Sequence, residues 1–313
     1  KELFQNRIKR WKKIGHWDEV TVNKTQLIQE KVSRLPIINK EGFVKRHKDC
    51  YSKSGKRVYD PVNGSLLQKN NYVCDICGHK YVRPSAWDYM DLILDQGSFN
   101  EHEETRYVKD KDILEFPGYS EKLEETRLRT GMTSALITGM GKILENEVIY
   151  CGTEFGFFGG SYCMSSGEKI WRAAEIALTK GLPMILQACG GGARMHEGCS
   201  SMVGIPKAHV ALTRVEHKGI PVITLITDPT LGGVAIGYGS RGIRLFELNS
   251  GNIGFSGRRV IEQYVGHKLG RDFQTTQWLH QHGHADIIVT PENIRQKIVE
   301  IIEGSSPQNT VDE

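Results

Sequence analysis

The stretch Thr227-Asp228-Pro229-Thr230-Leu231-Gly232-Gly233 decides how this chain is read. It follows the apolar run Pro221-Val222-Ile223-Thr224-Leu225-Ile226, which predicts a fully buried strand. Pro229 has no N–H for a ladder and is expected to end that strand. Gly232 and Gly233 carry no Cβ, so the backbone can turn sharply and a ligand can approach it closely. Val234-Ala235-Ile236 can open a helix behind them. Backbone N–H groups at the start of a helix suit an anion or a developing oxyanion. Alone, such a glycine pair is common turn punctuation; its repetition along the chain gives it weight.

From Ser134 onward the chain repeats one plan. Ala135–Gly139 and Glu147–Cys151 read as two paired strands. Four units of buried strand, glycine turn and helix then follow. The first turns at Phe158-Gly159-Gly160-Ser161 and enters a helix carrying Ile170, Ala173, Ala174 and Ala177. The second has strand Pro183–Ala188, turn Gly190-Gly191-Gly192 and a long helix from Arg194 toward Lys218. The third is the opening stretch, and the fourth is Ile253-Gly254-Phe255-Ser256-Gly257 before Val260-Ile261-Glu262-Gln263. Units of this kind, roughly 30 residues apart, predict a right-handed α/β architecture. A strand at Asp286–Val289 and a helix from Pro291 to Glu303 close it.

Upstream, residues 84–130 read as a helical connector, with Trp87, Met90, Ile93 and Leu94 at helical spacing. The charged span 101–125 reads as a solvated surface. Residues 43–83 hold His47-x2-Cys50 and Cys74-x2-Cys77, two ligand pairs suited to a tetrahedral structural zinc ribbon. His79 competes with His47 for the fourth position. Residues 1–42 form a basic extension in which Phe4, Ile8, Trp11 and Ile14 share one helical face.

Composition narrows the function classes. The 313 residues carry a net charge of +4, but residues 1–60 hold 16 Lys/Arg against 7 Asp/Glu. That imbalance keeps a zinc-ribbon nucleic-acid binder open as an alternative. Seven cysteines, an odd number, do not suggest a secreted disulfide framework. No apolar run nears the ~20 residues of a membrane span, and no signal-peptide pattern is present. A cytoplasmic location is expected, ahead of a plastid-like compartment.

No G-x-S-x-G elbow occurs, and Gly190-Gly191-Gly192 lacks the GK[ST] of a phosphate loop. His280, His282 and His284 read as a surface cluster, and Cys189 as a buried thiol. Glycine turns at strand ends without an evident nucleophile or base fit chemistry done by backbone N–H groups, namely stabilisation of an enolate or tetrahedral oxyanion.

At this point the residues carry a resemblance. Gly190-Gly191-Gly192-Ala193-Arg194-Met195-His196-Glu197-Gly198 resembles the S-G-G-A-R-M-Q-E-G stretch of the carboxyltransferase β subunit of acetyl-CoA carboxylase. Phe158–Ser161, Gly167–Ile170 and Thr227–Val234 are similar to further blocks of that family, as is Gly254–Gln263 to G-F-A-G-x-R-V-I-E-Q. The resemblance covers roughly residues 43–303. It implies a crotonase/ClpP-like spiral of strand–turn–helix units with an N-terminal zinc ribbon. It also implies a separate α subunit in an α2β2 assembly, biotin on a carrier protein as carboxyl donor, and acetyl-CoA as acceptor. Gly232 and Gly233 match the pair expected to hold the thioester oxygen.

Gly191, Gly192, Arg194, Lys207, Arg258 and Arg259 are the substrate-binding candidates, the four cations for CoA phosphates on charge alone. The resemblance gives zinc to His47, Cys50, Cys74 and Cys77, with His47 where the family has cysteine. Gly190 replaces serine, which should loosen its turn. Leu231 replaces Met or Thr, and Ser240-Arg241-Gly242-Ile243 replaces M-L-G-D, exchanging an acid for a base. These departures suggest a divergent paralogue, and they admit a non-catalytic one whose loop 240–249 no longer accepts acyl-CoA.

Overall fold

The structure is a computed structural model that describes residues 84–248, 250–270 and 272–305. The expectations for the basic extension, the zinc ribbon and its candidate ligands His47, Cys50, Cys74 and Cys77 lie outside these residues.

The compact unit is built on an eight-stranded mixed sheet. Helix α1 (Ala86–Ile93) leads to the short strand β1 (Asn100–Glu101), helix α2 (Glu103–Arg106) and helix α3 (Tyr119–Thr130). Strands β2 (Leu136–Ile143) and β3 (Asn146–Thr153) form the expected antiparallel hairpin. Its two-residue turn, Leu144-Glu145, has φ of 46° and 71° without a glycine. The Asp95 carboxylate accepts both turn N–H groups, at 3.1 and 3.2 Å, which offers a compensating interaction for that backbone.

Beyond β3 the sheet is parallel. Helix α4 (Met164–Lys180), β4 (Met184–Gly190), helix α5 (Cys199–Glu216) and β5 (Val222–Leu231) follow, then helix α6 (Gly232–Val234) and a π turn (Ala235–Gly239). Strands β6 (Ile243–Glu247) and β7 (Ile253–Gly254), helices α7 (Arg258–Val265) and α8 (Thr276–Gln281), β8 (Ile287–Val289) and helix α9 (Ile294–Gly304) complete it. The strand order is β1-β2-β3-β4-β5-β6-β8, with β7 paired to the far end of β5.

Period-2 alternation explains how both faces are covered. Val222 and Ile226 of β5 join a core with Ile170, Trp171 and Leu212 of α4 and α5. Ile223 and Leu225 join Tyr89, Ile93, Ile294 and Ile298 of α1 and α9 on the other face. The α4–α5 crossing is close: a Cβ on Gly167 would lie 2.6 Å from Gly204 Cα.

Three expectations need correction. Pro229 does not end β5, which runs through a cis Asp228–Pro229 bond to Leu231 and pairs Thr230 with Ile253. At that position the chain reaches partners without needing a proline N–H. The helix expected from Arg194 is broken: a 3-10 turn at Met195–Glu197 precedes Gly198, and α5 starts at Cys199. The charged span 101–125 is not wholly solvated, since Asp110, Tyr119 and Leu123 are buried.

Candidate active site

The four glycine turns converge where the parallel strands end. The Gly191 N–H donates to Gly159 O at 2.9 Å, joining the second turn to the first. Tyr162 and Ala193 form a parallel bridge, with Tyr162 N donating to Gly192 O and Arg194 N to Tyr162 O, both at 2.7 Å. The third turn packs on the second: a Cβ on Gly233 would lie 2.9 Å from Ala193 N, and one on Gly232 3.3 Å from Gly192 Cα. The fourth meets the third through Gly232 N and Phe255 O, at 2.9 Å.

Gly190 is what this convergence requires. A Cβ there would overlap Gly160 O and lie 2.7 Å from Val234 Cγ2. The glycine in place of serine therefore permits a tighter approach of two turns, where a looser turn was expected.

The glycine pair divides its work. Gly232 has φ of 47° and its N–H is taken by Phe255 O, so it shapes the turn. Gly233 lies in the first turn of α6, where N–H groups have no intrahelical partner. Beside it is Ala193, whose own N–H points away from Tyr162 in a parallel bridge. Sequence reasoning missed Ala193, because only the packing of one turn on another brings it to Gly233. Gly191 offers no free N–H to a substrate, for the reason given above.

The cations separate more sharply. Arg194 is buried, with 1% of its surface exposed. Its Nη1 donates to Asp110 Oδ2 at 2.7 Å and to Tyr119 Oη at 2.8 Å, and its Nη2 to Ser161 O at 3.1 Å. Nε donates to Ser161 Oγ, and the guanidinium lies 4.7 Å from the Phe158 ring centre. Burial works against its charge, but Asp110 and the other acidic groups around it, Glu197 among them, together outweigh burial and hold the pKa above its ordinary value. Lys207 is also buried and ion-paired with Glu168 across the α4–α5 crossing. Neither is a surface cation awaiting a CoA phosphate. Arg258 caps the carbonyls of Leu269, Gly270 and Phe273. Arg259 alone of the four candidates is exposed, in the first turn of α7.

Glu197 completes a buried polar cluster. It accepts from Met164 N at 3.0 Å and from Tyr119 Oη at 3.2 Å. Burial, and next the charge of Asp110, push its pKa up to about 7. Asp110, Cys163 and Glu197 place three ligand-type atoms within 4.8 Å of one another. Arg194 is ion-paired with Asp110, and burial raises the Cys163 pKa. These contacts make a buried hydrogen-bonded cluster.

The substituted loop is neutralised. Arg241 pairs with Glu216 and donates to Thr213 Oγ1 at 2.8 Å, and Gly242 N donates to Glu216 Oε1 at 3.1 Å. The base that appears in this loop, Arg241, is thus folded onto α5. Cys189 is buried and His282 and His284 are exposed, as expected. No helix among the described residues is long and apolar enough to cross a membrane.

A sheet-end site walled by glycine turns is that of a carboxyl transferase domain, whose family model matches residues 79–310. The chain belongs to this family, and within it to the β subunits of acetyl-CoA carboxylase carboxyl transferase. It is 36% identical over 283 residues to that subunit from Clostridium novyi, covering 90% of this chain and 96% of the relative. It is 34% identical over 236 residues to the "subunits beta/alpha" protein of Natranaerobius thermophilus, covering 75% of this chain. There it spans only 38% of the relative's length. Among solved structures, transcarboxylase 12S with methylmalonyl-coenzyme A bound has a TM-score of 0.59 at 19% identity. That match covers 90% of this chain and 48% of the other, and it supports the crotonase-like α/β carboxyltransferase fold.

Proposed function

We propose that this chain is the acyl-CoA half of a carboxyltransferase, which moves a carboxyl group from carboxybiotin on a carrier protein to acetyl-CoA and yields malonyl-CoA. The observation that carries the reading is the packing of Gly233, just beyond β5, on the Ala193 backbone, where an added Cβ would lie 2.9 Å from Ala193 N. Main-chain N–H donors stabilise charge that develops on a thioester oxygen. A proton leaves the acetyl methyl carbon, negative charge builds on that oxygen, and the resulting enolate carbon attacks CO2. The carboxyl donor, when bound, supplies the CO2 and a ureido nitrogen able to take the proton. The Gly233 and Ala193 N–H groups would hold the oxygen throughout, and no side-chain base of this chain is needed.

The reading includes a separate α subunit, in an α2β2 assembly, that receives the biotin carrier. The β/α relative, about twice as long, supports a partner of related function. It also includes a structural zinc on His47, Cys50, Cys74 and Cys77, CoA phosphate contact by Arg259, and a cytoplasmic location. The test is co-expression with an α subunit, followed by malonyl-CoA-dependent carboxylation of biocytin. We expect turnover by the complex and little by the isolated chain. Robust turnover by the chain alone would overturn the division of labour. Absence of turnover with every α subunit, together with salt-dependent binding of nucleic acid, would favour the alternative role.

A further inference from the structure

Arg194 stands immediately after Ala193, and every group its side chain touches belongs to another segment. Asp110 and Tyr119 come from the connector, and Phe158 and Ser161 from the first glycine turn. Its backbone N–H also closes the bridge to Tyr162. The Ala193 backbone is therefore gripped on one side by that bridge and held from beyond by a guanidinium with three of its nitrogens engaged. Asp110 is itself oriented: its Oδ1 accepts from Ser165 Oγ and from Cys163 Sγ, the latter at 3.3 Å.

A buried ion pair contributes little net stability compared with apolar residues of the same shape, because desolvating both charges is costly. What a planar guanidinium offers over other side chains is several donors in a fixed fork. Here the fork joins the first and second turns to the connector.

We propose that Arg194, oriented by Asp110, is a positioning residue that fixes the Gly192–Ala193 turn against Gly233 and thereby sets the spacing of the two N–H donors. This rests on the oxyanion reading of Gly233 and Ala193 given above. The geometry also explains why Tyr119 lies in the cluster: its hydroxyl accepts from Arg194 and donates to Glu197, tying the end of the second turn to the 3-10 turn that follows it.

The experiment uses the full chain in complex with its α subunit. Arg194→Lys keeps the charge and loses the fork. A displacement of about 1 Å at a reacting group costs on the order of 100-fold, so kcat should fall by roughly 10- to 100-fold with KM for acetyl-CoA unchanged. A rise in KM at constant kcat would make Arg194 a phosphate ligand and overturn the inference, as would unchanged kinetics. If Arg194→Lys fails to assemble, Tyr119→Phe decides. That variant keeps the ring contacts and the ion pair, and a several-fold fall in kcat at constant KM supports the inference, while unchanged kcat overturns it. Gly233→Ala separates the two levels. Full turnover in Gly233→Ala removes the oxyanion reading and this inference with it. Lost turnover there beside normal kinetics in Arg194→Lys removes the inference alone.

Discussion

Arg194 and Lys207 look alike in the sequence and are buried to the same degree, yet they sit in different kinds of structure. Lys207 bridges two regular helices: it meets Glu168 where α4 crosses α5, at the side where Gly167 and Gly204 touch backbone to backbone. Arg194 bridges irregular segments, two glycine turns and a connector. A helix keeps its shape through its own hydrogen-bond ladder, so an ion pair between helices mainly sets how they pack. A glycine turn has no such ladder, so whatever holds it decides where its N–H groups lie. The two buried pairs therefore differ in what they control, packing in one case and donor geometry in the other.

The largest expected effect lies at the turn. Gly233→Ala puts a Cβ against the Ala193 backbone and parts the two donors, and carboxyl transfer should fall by about 100- to 1000-fold. Steady-state kinetics on the assembled complex, with zinc content and assembly checked, measures this. Normal turnover in an assembled variant would remove the distinction between the regions.

At the helix crossing the effect should fall on stability. Lys207→Ala leaves Glu168 with Arg172 as its remaining cation and should cost about 1.5–3 kcal/mol in denaturant unfolding. Turnover per assembled complex should persist, and Glu168→Leu with Lys207→Met should recover most of the stability. A selective loss of kcat in Lys207→Ala would show that the two pairs act alike.

Gly167→Ala sharpens the same contrast without touching charge. Its Cβ would meet Gly204 Cα at 2.6 Å, so the helices must part, at about 1–3 kcal/mol, read as a lower Tm with kcat retained.

Glu197 gives the site region a pH dependence of its own. Its folded pKa of about 7 lies above the ordinary 4.5, so the folded state binds this proton more tightly than the unfolded one. The associated stability is fully present below about pH 4.5 and is lost as pH rises through 7. Glu197→Gln, which resembles the protonated form, should flatten that decline in a series of thermal melts. An unchanged slope would place the proton elsewhere.

The smallest effect is expected at Arg259. An exposed cation contributes little, so Arg259→Ala should raise KM for acetyl-CoA only several-fold and leave kcat alone. A change in kcat would move it from binding into the chemistry.

Local pattern determined much of this molecule. The apolar run before Thr227 became β5, the glycine turns follow their strands as read, though the second unit's helix starts only at Cys199, and the hairpin at 135–151 paired as read. These features are short-range, since burial on both faces of a strand and freedom at a glycine are written in adjacent residues. The block order from Phe158 to Gln263 likewise disclosed the family. Tertiary structure decided the rest. Whether a charged residue meets solvent depends on partners far away in the chain, and Arg194 meets Asp110 across 84 positions. Whether a backbone N–H is free depends on which carbonyl packs against it, so Gly232 and Gly191 lost theirs to Phe255 and Gly159. Ala193, an apolar residue without a chemical side chain, could enter the site only through its main chain. No residue-type pattern marks such a donor, because every residue but proline carries the same N–H.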